Sequence, residues 1–158
     1  MAKNISVNEQ EKIRVPVPVL TILHLILAIL LRRLLPLPIA VPAFIQWLGL
    51  VVAALGFVLG VLALREFQRA RAAYDPKKAA SSFVTTGIYH YTRNPVYLGF
   101  VLILIGLALS MGTYWGIVLA WPLTVFMNNL VVKPEEINLE RRFKNQFLEY
   151  KARVRRWL

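Results

Sequence analysis

The sequence predicts an all-α, polytopic integral membrane protein with about four transmembrane helices, the last two a hairpin, followed by a cytoplasmic amphipathic helix. Three observations predict it. Mean hydropathy is +0.56, with 58% hydrophobic and 17% charged residues, whereas soluble domains carry about 25% charged residues. Apolar runs recur at lengths suited to a bilayer core, which a helix of about 20 residues crosses. The 19 Lys and Arg residues are distributed very unevenly among the connections between those runs.

In chain order, residues 1–14 are polar and mixed in charge, with Lys3, Glu9, Glu11, Lys12 and Arg14. That is too long and too acidic for the basic region of a secretory signal, so the segment reads as a retained cytoplasmic lead. Residues 15–35 are apolar except for Thr21, His24 and the pair Arg32-Arg33. A first span over 17–31 is expected, with the arginines snorkelling to the interface. A lone histidine at that depth serves as a proton relay or packs against a neighbouring helix, and packing is the commoner use.

Three prolines, Pro36, Pro38 and Pro42, then forbid a regular helix and mark a tight connection. Residues 44–64 form a second span in which Gln46 is the one strongly polar member and Trp47 lies where an aromatic belt is expected. Gly49, Gly56 and Gly60 within it would let another helix approach closely, Gly56-x-x-x-Gly60 being a small-residue pattern suited to helix packing. From Arg65 the chain turns basic, and the second helix is expected to continue until Asp75-Pro76 breaks it.

Residues 87–99 are the densest run of hydrogen-bonding side chains beside a long apolar segment: Gly87, Tyr89, His90, Tyr91, Thr92, Arg93, Asn94, Pro95, Tyr97 and Gly99. Residues 96–132 come next as an apolar block that Ser110-Met-Gly-Thr113 divides into two helices, with Pro122 inside the second and Asn128-Asn129 near its end in need of partners. After Lys133-Pro134, the residues Glu136, Leu139, Phe143, Phe147, Tyr150 and Val154 recur at steps of three and four, along one face of a single helix. Pro134 and the pair Glu135-Glu136 suit its N-terminus on geometric and dipole grounds. The chain is thus expected to be one membrane domain, divided into 1–64, 65–95, 96–132 and 133–158.

Orientation is set by charge. Of the 19 Lys and Arg residues, all but Arg32 and Arg33 fall on one side of four spans, so both termini, the 87–99 stretch and the tail are expected in the cytoplasm, the membrane being the plasma or inner membrane if the source is prokaryotic. The formal charge of +11 is accordingly assigned to anionic lipid and not to nucleic acid. Without cysteine, and with His24 and His90 far apart, neither thiol chemistry nor a metal site has support. No nucleophile set and no glycine-rich phosphate loop is present. What remains is a polar pocket with an apolar wall, suited to one polar and one lipid-borne ligand meeting at the interface.

The pattern Gly87-x-Tyr89-x-x-Thr92-Arg93-Asn94-Pro95-x-Tyr97-x-Gly99, succeeded after a hairpin by Glu135-Glu136, Leu139, Phe143, Phe147, Tyr150, Val154 and Arg156, resembles the isoprenylcysteine carboxyl methyltransferase and phospholipid methyltransferase superfamily over nearly half of the chain. The resemblance implies a membrane enzyme that uses S-adenosylmethionine, held by the loop and C-terminal helix, on a lipophilic acceptor entering from the bilayer. The acceptor is expected to be an isoprenylcysteine-like carboxylate or another small lipophilic nucleophile, with a phospholipid amine as the alternative. A non-enzymatic scaffold whose basic tail binds anionic lipid or a partner protein is the alternative from another class.

Carried over position by position, the resemblance makes Arg93, Asn94, Glu136 and Arg156 candidate catalytic residues. Gly87, Tyr89, His90, Tyr91, Arg93, Asn94, Tyr97, Glu135 and Glu136 are candidate cofactor ligands. Glu135 or Glu136 would take the ribose or amino group, and Arg93 and Arg156 an anionic group. Membrane lipids are the remaining partners expected. Many members read Arg-His-Pro where this chain has Arg93-Asn94-Pro95, and asparagine cannot titrate. Many also read Val-Pro-Arg where this chain has Val154-Arg155-Arg156. The tyrosines also fit interfacial anchors, and the arginines headgroup contacts.

Overall fold

A computed structural model describes residues 16–72 and 83–158. The polar lead and the expected break at Asp75-Pro76 lie outside the described residues. Helix α1, Val17–Leu34, begins after Pro16 and closes with the Leu35 amide donating to the Leu31 carbonyl, just ahead of Pro36, whose ring disfavours helical geometry at the residue before it. Its last turn carries Arg32 and Arg33, favourably placed at the negative end of the helix dipole. Within α1, His24 donates from Nδ1 to the Leu20 carbonyl over 2.8 Å and sets its ring edge against Phe126, so it is a satisfied packing residue.

Helix α2, Ala43–Ala72, has 30 residues and a length of about 45 Å at 1.5 Å per residue. That exceeds a hydrocarbon core of about 30 Å, so the helix projects beyond the bilayer just where the sequence turns polar at Arg65. Helix α3, Pro95–Ser110, packs between α2 on one side and α1 and α4 on the other. Leu104 and Ala108 of α3 are fully buried, whereas α1 and α2 expose apolar residues such as Ile22, Ile26, Trp47 and Phe57. Those faces suit lipid. Three helical stretches, Val17–Leu34, Ala43–Ala70 and Trp115–Phe143, are long and apolar enough to cross a membrane, and Pro95–Ser110 is a shorter apolar helix.

The α2–α3 contact is made of backbone. A Cβ at Gly49 would lie 2.6 Å from the Gly106 carbonyl, and one at Gly56 would lie 2.6 Å from the Gly99 carbonyl. Two glycine pairs seven residues apart, one on each antiparallel helix, therefore let the axes approach closely. Gly49 and Gly56 thus admit the close helix expected of them; a Cβ at Gly60 itself would meet nothing within 4 Å, although the Gly60 nitrogen lies 3.4 Å from where a Cβ at Gly99 would be. Between α3 and α4 (Trp115–Met127), the expected turn forms at Met111-Gly112, with Gly112 at φ +75°. Arg32 donates to the Met111 carbonyl and Trp115 Nε1 to the Leu35 carbonyl at 3.0 Å, tying both connections of that end together.

Two expectations about the tail change. First, no loop separates α4 from the tail: a π turn, Asn128–Val132, joins it to α5, Lys133–Phe143, with the Lys133 amide donating to the Asn128 carbonyl. Pro134 lacks an amide and its ring would clash with the carbonyl four residues earlier in a regular helix, and the wider π turn relieves that clash. Second, the tail is not one helix. It bends at Lys144, where φ is +46°, into α6, Asn145–Arg153. Phe143, Phe147 and Tyr150 nevertheless pack round Phe83, with ring centroids 5.0 to 5.5 Å away. The apolar spacing survives the bend, which is why periodicity did not reveal it.

Gly56→Leu or Gly106→Leu is expected to lower the detergent melting temperature sharply, with Gly56→Ala costing about 1–3 kcal/mol through overpacking and Gly60→Ala neutral; thermal unfolding of the purified variants checks the contrast. Lys144→Gly should raise stability by about 1 kcal/mol, since glycine occupies that backbone region without strain, and the same unfolding assay reads the sign.

Candidate functional site

Three polar stretches meet at the end of the bundle from which α2 projects. The first is the 3-10 turn Gly87–His90 with the link to α3, which carries Tyr89, Thr92, Arg93 and Asn94. Gly87 sits at φ +58°, a conformation that favours glycine. The second is the first turn of α5, with Glu135 and Glu136. The third is the segment 154–158, which leaves α6 in extended conformation at Val154.

Glu136 is the centre. Its side chain is 9% exposed and receives the fork of Arg156, with Nε 3.1 Å from Oε1 and Nη2 2.6 Å from Oε2. Arg156 Nη1 reaches Asn128 Oδ1 at 3.3 Å, the partner that the polar end of the apolar block required. Arg93 Nη1 lies 2.8 Å from the same Glu136 Oε1. That contact is a charge pair off the hydrogen-bond axis, because Nη1 and Nε of Arg93 are buried without a hydrogen-bond acceptor among the described residues. Burial opposes the charge of Arg93 and pulls its pKa down, with Glu136 acting against that pull and Arg156 adding to it. Two guanidinium groups, those of Arg93 at 10% and Arg156 at 32% side-chain exposure, thus share one carboxylate.

Asn94 is 8% and Thr92 1% exposed, and both donate to the main chain of the C-terminal segment. Asn94 Nδ2 donates to the Arg156 carbonyl at 2.8 Å and Thr92 Oγ1 to the same oxygen at 3.3 Å, while the Arg93 amide donates to the Arg155 carbonyl at 3.0 Å. The loop and the C-terminal segment are therefore zipped together, backbone included. Sequence reasoning passed over Thr92 as a site residue although it stood inside the Gly87-to-Gly99 pattern.

Beside this cluster lies a cavity of about 870 Å³, lined by Leu64, Phe67 and Ala70 of α2, by Tyr89, Arg93, Asn94 and Tyr97, by Glu135, Glu136 and Leu139 of α5, and by Phe83 and Tyr150 among others. Tyr97 donates to both oxygens of Glu135, at 2.9 and 3.0 Å. Tyr150 donates to the Tyr89 carbonyl at 2.6 Å, and burial pushes its pKa to about 12. Burial, assisted by Glu135, likewise raises Tyr89. These phenols stay protonated near neutral pH, so they serve as donors and apolar walls and not as bases. Gly87, His90 and Tyr91 are not among the cavity-lining residues: Gly87 abuts Glu66, His90 is exposed, and Tyr91 is 72% exposed. The α2 wall was not anticipated, because apolar residues on a spanning helix carry no sign of what they face.

Neither the curated proteins nor the solved structures include a match to this chain. The sequence model of the phospholipid methyltransferase family, by contrast, matches residues 44–146, more than half of the chain and the whole stretch from α2 into α6. With the apolar helices α2, α3 and α4, the loop and the paired glutamates inside that match, the chain belongs to the phospholipid methyltransferase family, within the superfamily it shares with the isoprenylcysteine carboxyl methyltransferases, and is a membrane methyltransferase that uses S-adenosylmethionine.

Proposed function

We propose that the 870 Å³ cavity is where the methyl group passes to a lipid-borne acceptor bearing an oxyanion, in first place an isoprenylcysteine-like carboxylate. The observation that carries the reading is Arg93: a side chain 10% exposed that lines the cavity and shares its carboxylate partner, Glu136, with Arg156. With one carboxylate shared between two arginines, a ligand oxyanion at this wall of the cavity supplies a second negative charge to the pair. Bound S-adenosylmethionine supplies a methyl group on a sulfonium, open to in-line displacement by a nucleophile. A carboxylate needs no base for that step, which suits a site where asparagine stands at position 94 and the phenols stay protonated.

The chain's own task is alignment and exclusion of water. Glu136, Arg156, Asn128, Asn94 and Thr92 hold the loop against the tail. Glu135, oriented by Tyr97, is the carboxylate we assign to the ribose or amino group of the cofactor, because both oxygens of Glu136 are already engaged by arginine. Tyr89 flanks it. The apolar wall from α2 and the first turn of α3 offers the lipid chain a path along the bilayer. The asymmetry of Lys and Arg favours a cytoplasmic location for this end of the bundle.

A second reading, methylation of a phospholipid amine, is favoured by the family that the chain matches. In it Arg93 takes the phosphodiester and Glu135 receives the ammonium proton. The two readings separate by pH: with a carboxylate acceptor kcat/KM is flat above about pH 6, because carboxylates titrate near 4, whereas with an amine it climbs with pH as the ammonium deprotonates. Transfer of labelled methyl to a prenylated cysteine and to phosphatidylethanolamine, each measured from about pH 6 to about pH 9, decides between them.

Calorimetry of the detergent-purified protein with S-adenosylhomocysteine is expected to show binding, weakened about tenfold by Glu135→Gln with the melting temperature unchanged, as loss of a charge-assisted hydrogen bond requires. Equal affinity in wild type and variant would remove Glu135 from the cofactor site.

A further inference from the structure

We infer that Glu66, on α2 and outside the loop and tail stretches that make the site recognisable, is a positioning residue: it latches the turn that presents Tyr89 to the cavity. Glu66 Oε2 accepts a hydrogen bond from Thr86 Oγ1 at 3.1 Å, across a sequence gap of 20 residues. Its stem also fills the space beside Gly87, where a Cβ would lie 2.7 Å from Glu66 Cδ and 2.8 Å from Cγ. Glu66 and the glycine therefore fit each other: a side chain at position 87 would expel the glutamate, and the φ of +58° would strain any residue but glycine. The Arg69 contact to Glu66 Oε1, at 3.0 Å, joins a 76% exposed partner and adds little.

The latch matters because Thr86 and Tyr89 belong to the same turn. The Thr86 carbonyl accepts the Tyr89 amide at 3.2 Å, and the Tyr89 carbonyl accepts the Tyr150 hydroxyl at 2.6 Å. Tyr89 is thereby gripped from two sides, by α2 through Glu66 and Thr86 and by α6 through Tyr150. Leu64, Phe67 and Ala70 of the same α2 segment form a wall of the cavity, so Glu66 fixes the distance between that wall and Tyr89. The effect on the ligand is indirect, since Glu66 is not among the cavity-lining residues. The inference rests on the reading of the cavity as the cofactor site.

The test is calorimetric titration of S-adenosylhomocysteine into the full-length protein in detergent, for wild type, Glu66→Gln, Glu66→Ala, Thr86→Val and the Ala/Val double variant, with thermal unfolding of each. Glu66→Ala and Thr86→Val should each weaken binding about tenfold, as loss of a hydrogen bond to a charged group requires. The double variant should be no weaker than the worse single one, because both remove the same contact. Glu66→Gln, whose amide oxygen still accepts from Thr86, should bind within about threefold of wild type, a rescue that a merely structural loss of charge would not give. Thr86→Val alters an exposed position and keeps the test usable should Glu66→Ala fold poorly. Wild-type affinity in folded Glu66→Ala or in Thr86→Val, or additive losses in the double variant, would overturn the latch. Absence of binding by the unaltered protein strikes at the cofactor site itself and takes the latch with it.

Discussion

Glu136 joins parts of the chain that are far apart in sequence. Through Arg93 it binds the loop before α3, and through Arg156 the segment after α6, while its own helix is continuous with a membrane span. Removing the Glu136 carboxylate would leave the guanidinium groups of Arg93, 10% exposed, and Arg156, 32% exposed, facing each other as like charges. The loop, the tail and the cavity between them depend on this one group being present and ionised. Its burial is tolerated only because each of its oxygens meets a guanidinium nitrogen, and Asn94 and Thr92 complete the arrangement by satisfying the Arg156 carbonyl.

The same constraint explains how a residue unlike the histidine common in the superfamily is accommodated at position 94. The site asks this position for a hydrogen-bond donor toward a main-chain carbonyl, and an amide supplies it at every pH. Proton transfer has no carrier there. The chemistry consistent with such a site relies on geometry: close approach of donor and acceptor, dry surroundings and two arginines that share one carboxylate. Deep apolar helices packed backbone to backbone at Gly49, Gly56, Gly99 and Gly106 form the rigid frame that such alignment needs.

Much of the fold was legible because lipid is a demanding solvent. Spans must be apolar and helical to satisfy their backbone, so the runs 17–31 and 44–64, the turn near Gly112 and the extension of α2 past Leu64 could be read directly. The bend at Lys144 and the π turn at Asn128–Val132 could not. Each preserves the apolar spacing on which periodicity depends, and a lysine at positive φ leaves no mark in composition. The partners of Gly49 and Gly56 were hidden for a related reason: spacing says which residues share a helix face and not which neighbour that face meets.

For the site, the sequence determined the inventory. A loop rich in tyrosine, arginine and asparagine at the edge of a span, two adjacent glutamates opening the last helix and an arginine near residue 156 are chemical facts that no packing alters. Tertiary structure decided the division of labour. It paired Glu136 with both Arg156 and Arg93, set Glu135 with Tyr97 on the cavity and kept His90 and Tyr91 off its lining, and it brought in Glu66 and the α2 wall. The reason is physical: hydrogen-bonding capacity is a property of a residue, but whether it is already engaged depends on neighbours that only folding supplies.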